Sequence, residues 1–290
     1  MLLRSFLIIL VSLILAVPVF SQQENHDDYC PICKNGVHIN DSPYKTGFKT
    51  ELPFLITSAG LMSTGFLLQS INNTKPISES ELNKQDRNSV NPFDRPATYN
   101  WNPAAATTTD YLAVGVLVLP ALLLSTHHTR SDLGNLIVMG LEVGMINYGF
   151  TLSIKNLANR TRPYVYNPAV PLDERTNSDN RLSFFSGHTS NTAAVSFFFA
   201  KVMSDYHPNM KTGLKVTMWT IALAVPTATA YLRVESGKHF KTDVISGFVV
   251  GASSGWLIPH LHKKKNNESA FSAFPTTIYG KPGMHLSYRF

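Results

Sequence analysis

Arg233-Val-Glu-Ser-Gly-Lys-His239-Phe-Lys-Thr-Asp243 holds an arginine six residues ahead of a histidine and an aspartate four residues behind it. On a helix, positions four apart lie on one face, so Asp243 is placed to accept from one nitrogen of His239 and leave the other as a base or nucleophile. Gly237 breaks the chain between Arg233 and His239 and lets the guanidinium turn back towards the imidazole. The stretch ends one apolar run, 211–233, and opens another, 238–262. That makes it a junction between helices with room for a phosphate.

The surrounding pattern is helical. Residues 110–125 are strongly apolar, Ser131-Asp132 can cap a helix running to about 159, and residues 188–206 form a further helical run. No strand alternation of comparable length competes, so the fold class is all-α, a helical bundle over 110–262. The one exception is the tail, 276–290, which reads as a β-hairpin after a basic linker at Lys263-Lys264-Lys265. Residues 51–71 form a helix candidate diluted by Ser58, Gly60, Ser63 and Gly65. The polar, proline-bearing stretch 72–102 reads as a long surface loop.

The N-terminus carries an export pattern. Arg4 precedes an apolar run from Phe6 to Val19, and residues 1–21 read as a secretory signal, with an uncleaved anchor as the alternative. Residues 22–109 then form an exported leader. Its Cys30-Pro-Ile-Cys33 suits a local disulfide or free thiols better than a metal, although His26 and His38 flank it.

Charged residues are 15% of the 290 and apolar ones 44%, with a net charge of +6. This balance excludes disorder and points to an anionic partner. No basic helix, zinc-finger spacing or aromatic–basic platform supports nucleic acid, so a phosphorylated lipid or a membrane surface is the expected partner. Several helices approach the roughly 20 apolar residues of a membrane span. Glu142, Lys155, Lys201 and Lys215 interrupt or abut them. If a signal is cleaved and 51–71, 110–125 and 131–155 all cross, Lys155 ends inside. A site on the outer side requires one of the three not to cross, and the diluted 51–71 stretch is the expected surface helix.

Two more clusters carry chemistry. Lys155-Asn-Leu-Ala-Asn-Arg-Thr-Arg162-Pro163 sets two cations two helical turns apart, and Pro163 ends the helix before Arg162. Arg160 between them reads as a basic helix end reaching for solvent. Phe184-Phe185-Ser186-Gly187-His188-Thr189-Ser190 opens a helix. Ser186 is its cap, Gly187 permits close backbone approach, and His188 sits beside N–H groups that suit an anion. The remaining histidines, His262 among them, read as solvated groups at helix ends and loops, and Glu142 as a packed polar contact.

In order and spacing these clusters resemble the type 2 phosphatidic acid phosphatase superfamily, which includes lipid phosphatases, class A acid phosphatases and vanadium-dependent haloperoxidases. Its Lys-x6-Arg-Pro, Pro-Ser-Gly-His and Ser-Arg-x5-His-x3-Asp pattern is met by Lys155, Arg162, Pro163, Ser186, Gly187, His188, Arg233, His239 and Asp243. Phe185 and Leu232 stand where the family has proline and serine. The resemblance implies that His239 attacks phosphorus, Asp243 holds its tautomer, and His188 protonates the leaving oxygen. Lys155, Arg162, Arg233, Ser186 and Gly187 would bind the phosphoryl oxygens. It implies no metal and no cofactor, vanadate entering only if the chain is a haloperoxidase. The expected function is a phosphatase acting on a polyprenyl diphosphate, glycerolipid phosphate or lipid A phosphate at the outer side of the cytoplasmic membrane. A soluble periplasmic acid phosphatase and a non-catalytic lipid-binding envelope protein are the alternatives.

Overall fold

A computed structural model describes residues 42–72, 76–264, 271–278 and 281–288. Six long helices organise the described residues: α1 (Phe48–Asn72), α2 (Pro103–Gly115), α3 (Leu133–Ala158), α4 (Gly187–Tyr206), α5 (Thr212–Glu235) and α6 (Lys241–His262). A short helix, Val118–Leu122, prolongs α2. The signal-like segment 1–21, the Cys30/Cys33 pair and the basic Lys265 lie outside the described residues.

Local chemistry sets the ends. Asn102 accepts from the Ala105 amide at 3.0 Å, and Pro103 occupies the first turn, so α2 starts seven residues before the expected 110. Asn159 closes α3 in the left-handed conformation at φ 44°, and extended Arg162 precedes Pro163, as the sequence predicts for a helix stopping short of proline. Gly237 turns the chain between α5 and α6 at φ 71°. A side chain there would also strike the carbonyl of Asn100.

The long helices run between two ends of one bundle. The first turns of α2, α4 and α6 meet the last turns of α3 and α5 at one end, which we call the site end. Asp110 of α2 reaches His188 of α4, and Thr109 reaches Arg233 of α5. At the far end the core gathers Tyr44, Leu123, Leu136, Met139, Phe198, Val202 and Ile258. α4 and α6 pack in parallel at very close range. Side chains at Gly247, Gly251 and Gly255 would run into the carbonyls of Ser186, Ser190 and Ala194, so one small residue per turn lets the two backbones touch.

Two expectations change here. α1 does not lie apart on a surface: it runs parallel to α3, with Met62 against Gly149, Gly65 against Leu152, and Ser153 Oγ donating to the Leu61 carbonyl at 2.9 Å. Residues 76–102 are not a loose loop. They fold over the site end as short helical turns that bury Ile77, Leu82, Val90 and Ala97 and the carboxylate of Asp94. Their apolar anchors are spaced too irregularly to register as a periodic signal. The expected tail hairpin is present, shifted towards the N-terminus: Phe271–Ile278 (β1) pairs antiparallel with Lys281–Tyr288 (β2), Phe271 opposite Tyr288.

Four stretches are long and apolar enough to cross a membrane: Phe48–Ile71, Pro103–Ser125, Leu133–Tyr166 and Lys241–His262. Leu55, Ile56, Leu67, Val249 and Leu261 point outward from them. This is a membrane-associated protein.

Candidate active site

His239 sits in the α5–α6 turn with 1% of its surface exposed. Its Nδ1 lies 2.7 Å from the carbonyl of Ser183. A carbonyl can only accept, so Nδ1 carries the proton and Nε2 keeps its lone pair. Asp243, expected to accept from this ring, lies 3.6 Å from Nδ1. It works one step further out. One carboxylate oxygen accepts from Ser183 Oγ at 2.5 Å and from the Phe240 amide at 2.9 Å, and the other from Arg160 at 2.5 Å. Asp243 therefore fixes the segment whose carbonyl orients His239, because Ser183 presents its hydroxyl to one residue and its carbonyl to the other.

Arg160 is the centre of this support. It bridges Asp243 to the buried carboxylate of Asp94 at 2.8 Å, and its guanidinium lies 4.1 Å over the Phe240 ring. Asp94 also accepts from the Thr242 amide at 3.0 Å and hydroxyl at 2.6 Å at the start of α6. Burial pushes the Asp94 carboxyl up, but these bonds from Thr242, with those from Arg160 and Asn91, outweigh burial and hold it below the usual carboxylate range. Arg160, Asp94 and Ser183 were not singled out as site residues. Arg160 looked like a solvated helix end, and its partner is 66 positions away.

Cations from three elements surround His239. Lys155, at the end of α3, donates to the Leu182 carbonyl at 2.6 Å. Arg162 donates through Nε to the Asp179 carbonyl at 2.9 Å and through a terminal nitrogen to the Lys238 carbonyl at 3.2 Å. Arg233 donates to Thr109 Oγ1 at 3.2 Å, while its buried Nε meets no acceptor among the described residues. Burial, then the charges of Arg233, Lys155 and Arg162, push His239 well below the ordinary imidazole range. The ring is held neutral with its lone pair free, which is what a nucleophile requires.

His188 lies at the rim in the first turn of α4, its Nε2 2.8 Å from the exposed carboxylate of Asp110. Ser186 is wholly buried and caps α4, its Oγ 3.4 Å from the Thr189 amide, and its own amide donates to the Asp243 carbonyl at 3.0 Å. A side chain at Gly187 would press on Thr151 at 3.3 Å, beside the Lys155 stem. Phe185, at the family's proline position, is buried against Phe150 and Phe184.

The structure thus brings every sequence-predicted site residue to one end of the bundle: three cations deep around His239, with His188 at the mouth. Buried cations around a neutral imidazole make a place suited to an anion. Residues 133–267, just under half of the chain, match the family model described as the PAP2 superfamily. Among curated proteins, the lipid A 4'-phosphatase of Porphyromonas gingivalis is 26% identical over 109 residues, 37% of this chain and 42% of that protein. The match spans about two fifths of that relative's length. Among solved structures, a transmembrane PAP2-type phosphatidylglycerolphosphate phosphatase from Bacillus subtilis aligns with a TM-score of 0.43 and 20% identity. The alignment covers 72% of this chain and 92% of that one.

Proposed function

We propose that this chain is a phosphatase that removes a phosphoryl group from a membrane lipid through a phosphohistidine. The observation that carries the reading is the state of His239: a buried neutral imidazole, Nδ1–H donated to the Ser183 carbonyl, Nε2 free, among Lys155, Arg162 and Arg233. In the proposed first step Nε2 forms a bond to phosphorus as the bond to the leaving oxygen breaks, and His188 gives that oxygen a proton. In the second, His188 takes a proton from water, whose oxygen displaces His239 and releases phosphate. The three cations and the N–H groups at the start of α4 balance charge on the phosphoryl oxygens, the part that metal ions play in many phosphoryl-transfer enzymes. The proposal therefore takes no cofactor.

A lipid substrate is supported by a cavity of about 460 Å³ that begins at Asn191, one turn past His188. Leu117, Leu124, Leu133, Ile137 and Phe198 are among the apolar side chains lining it, between α1, α3, α4 and the α2 extension. Such a groove accepts hydrocarbon beside a headgroup at the site. A polyprenyl diphosphate, a glycerolipid phosphate and a lipid A phosphate all present that chemistry.

The proposed orientation puts the site on the outer side. Lys263 and Lys264, directly after the last helix, suit an inner end for the far side of the bundle, while the site end carries more basic residues, several of them in the site itself, so the orientation rests on experiment. With α1 crossing, this orientation starts Glu51 inside, whereas a cleaved signal at 1–21 would start it outside. Labelling single cysteines placed at Lys211 and at Asp173, each in protein with Cys30→Ser and Cys33→Ser, in intact cells decides between the two. Label on Asp173→Cys alone is expected, and label on Lys211→Cys alone would reverse the orientation.

For the activity, purified protein is assayed for phosphate release from polyprenyl diphosphate, phosphatidate, lipid A and soluble monoesters. Release from at least one lipid, lost in both His239→Ala and His188→Ala, is expected. Release that survives in both variants would sink the mechanism, and release from soluble esters alone would sink the lipid reading.

A further inference from the structure

At the far end of the bundle, remote from His239, a second buried histidine faces two carboxylates. His262, the last residue of α6, has 1% of its surface exposed, and Glu142 of α3 has 2%. His262 Nδ1 lies 2.8 Å from the Ile258 carbonyl, so Nδ1 bears the proton and Nε2 presents a lone pair. That lone pair points at Glu142 Oε2, 3.2 Å away, and at the Glu51 carboxylate, 3.4 Å away. Neither oxygen of Glu142 meets a hydrogen-bond donor among the described residues. Three acceptors therefore converge, Glu142 and His262 buried and Glu51 at the edge, where its Oε1 also accepts from the Gly47 amide at 3.3 Å, an arrangement that is unfavourable unless something positive lies among them.

We propose that Glu51, Glu142 and His262 bind one divalent transition-metal ion of the Zn2+ class, tying α1 and α3 to the end of α6. One atom from each residue lies within 4.8 Å of the others. Zn2+ bonds of ~2.0–2.1 Å to nitrogen and carboxylate oxygen place tetrahedral ligand atoms ~3.3 Å apart, matching the contacts His262 makes. Two carboxylates and a neutral imidazole cancel the charge of a dication, whereas a single added proton leaves a net negative charge buried. The second shell has the form metal-binding histidines take. Nδ1–H is held by a backbone carbonyl and the ring is stacked on Phe54 at 4.7 Å. Lys45 donates its amide to the His262 carbonyl at 2.9 Å, so the segment entering α1 is already strapped to this point. An imidazole ligand favours Zn2+ over the oxygen-seeking Mg2+ and Ca2+. The ion would be structural, since all three residues are remote from the catalytic cluster.

The test uses the full chain in detergent with Cys30→Ser and Cys33→Ser, which removes the thiols that would otherwise compete for metal. Zn2+ is titrated against a chelator of known affinity, and metal retained after gel filtration is measured by atomic emission. About one Zn2+ per chain is expected, lost in Glu142→Gln and in His262→Gln, with thermal stability raised by Zn2+, lowered by chelator and indifferent to Mg2+. Co2+ in its place should give the visible absorption of a tetrahedral site. The proposal is overturned if the folded thiol-free protein retains no Zn2+ and its melting is unmoved by chelator, which would leave a proton shared between carboxyl and imidazole. It is equally overturned if Glu142→Gln retains Zn2+ as the parent does. Should that variant fail to fold, the parent's own titration still decides.

Discussion

His239 and His262 are built alike and surrounded by opposites. Each is buried, each donates Nδ1–H to a main-chain carbonyl, at 2.7 Å and 2.8 Å, and each is left with a free Nε2. Around His239 the near neighbours are Arg233, Lys155 and Arg162. Around His262 they are Glu51 and Glu142. The same imidazole is thereby prepared for an anion at one end of the bundle and for a cation at the other. The lesson is that the tautomer is set locally by one carbonyl, while the chemistry is set by charges that other helices bring.

The largest effect should separate the two rings outright. His239→Ala is expected to lower phosphate release by at least 10³-fold with melting little changed, because it removes the proposed nucleophile. His262→Ala should leave initial rates of the folded protein within a few-fold and move melting instead. Parallel rate and melting measurements check this, and a His262 variant as dead as the His239 variant would end the comparison. The next effect belongs to the support behind His239. Arg160→Gln cuts the links to both Asp94 and Asp243 while leaving every group that meets the phosphate. It should lower kcat by roughly 10- to 100-fold, the cost usual for outer-shell groups that orient a reactive ligand, with KM largely kept.

How far the sequence carried can be judged on these same residues. His239, His188, Arg233, Lys155 and Arg162 were legible because their spacings are fixed by short helix ends and turns, so local order in the chain survives as local order in space. Arg160, Asp94 and Asp110 act across 66 to 83 positions, and no periodicity links them. The glycines 247, 251 and 255 were visible as small residues, but their meaning, contact with the α4 backbone, needed the partner helix. His262 reads as solvated from the sequence because a helix end normally is, and only the packing of α1 and the segment before it seals this one.

A pH profile sharpens the comparison from another side. Burial and three cations depress His239 well below the ordinary imidazole range, so the neutral ring persists in acid. The acid limb of kcat/KM attributable to this ring is expected below about pH 6.5, the unperturbed value for histidine. The sign for stability runs the same way. A histidine whose folded pKa is lowered favours the folded state above its unfolded pKa, and that contribution is lost as the pH falls through this value towards the folded one. Measuring rate and melting between mildly acid and neutral pH tests both. An acid limb at or above pH 6.5 that moves with Arg233→Gln would contradict the assignment.

The smallest expected effect lies at the rim. Asp110 accepts from His188 Nε2 at 2.8 Å, which fixes the ring's tautomer and orientation. The pair is only partly shielded, with 34% of the His188 side chain and 64% of the Asp110 side chain exposed, so water screens the charge and competes for the bond. Asp110→Asn keeps an oxygen that can accept while removing the charge, and should therefore lower kcat only about 3- to 10-fold with KM unchanged. Asp110→Ala should do somewhat more, because the ring is then free to turn. If Asp110 merely caps a surface contact, neither variant will change kcat. If the asparagine variant matches His188→Ala, the carboxylate takes part in proton transfer itself and His188 is not the terminal acid.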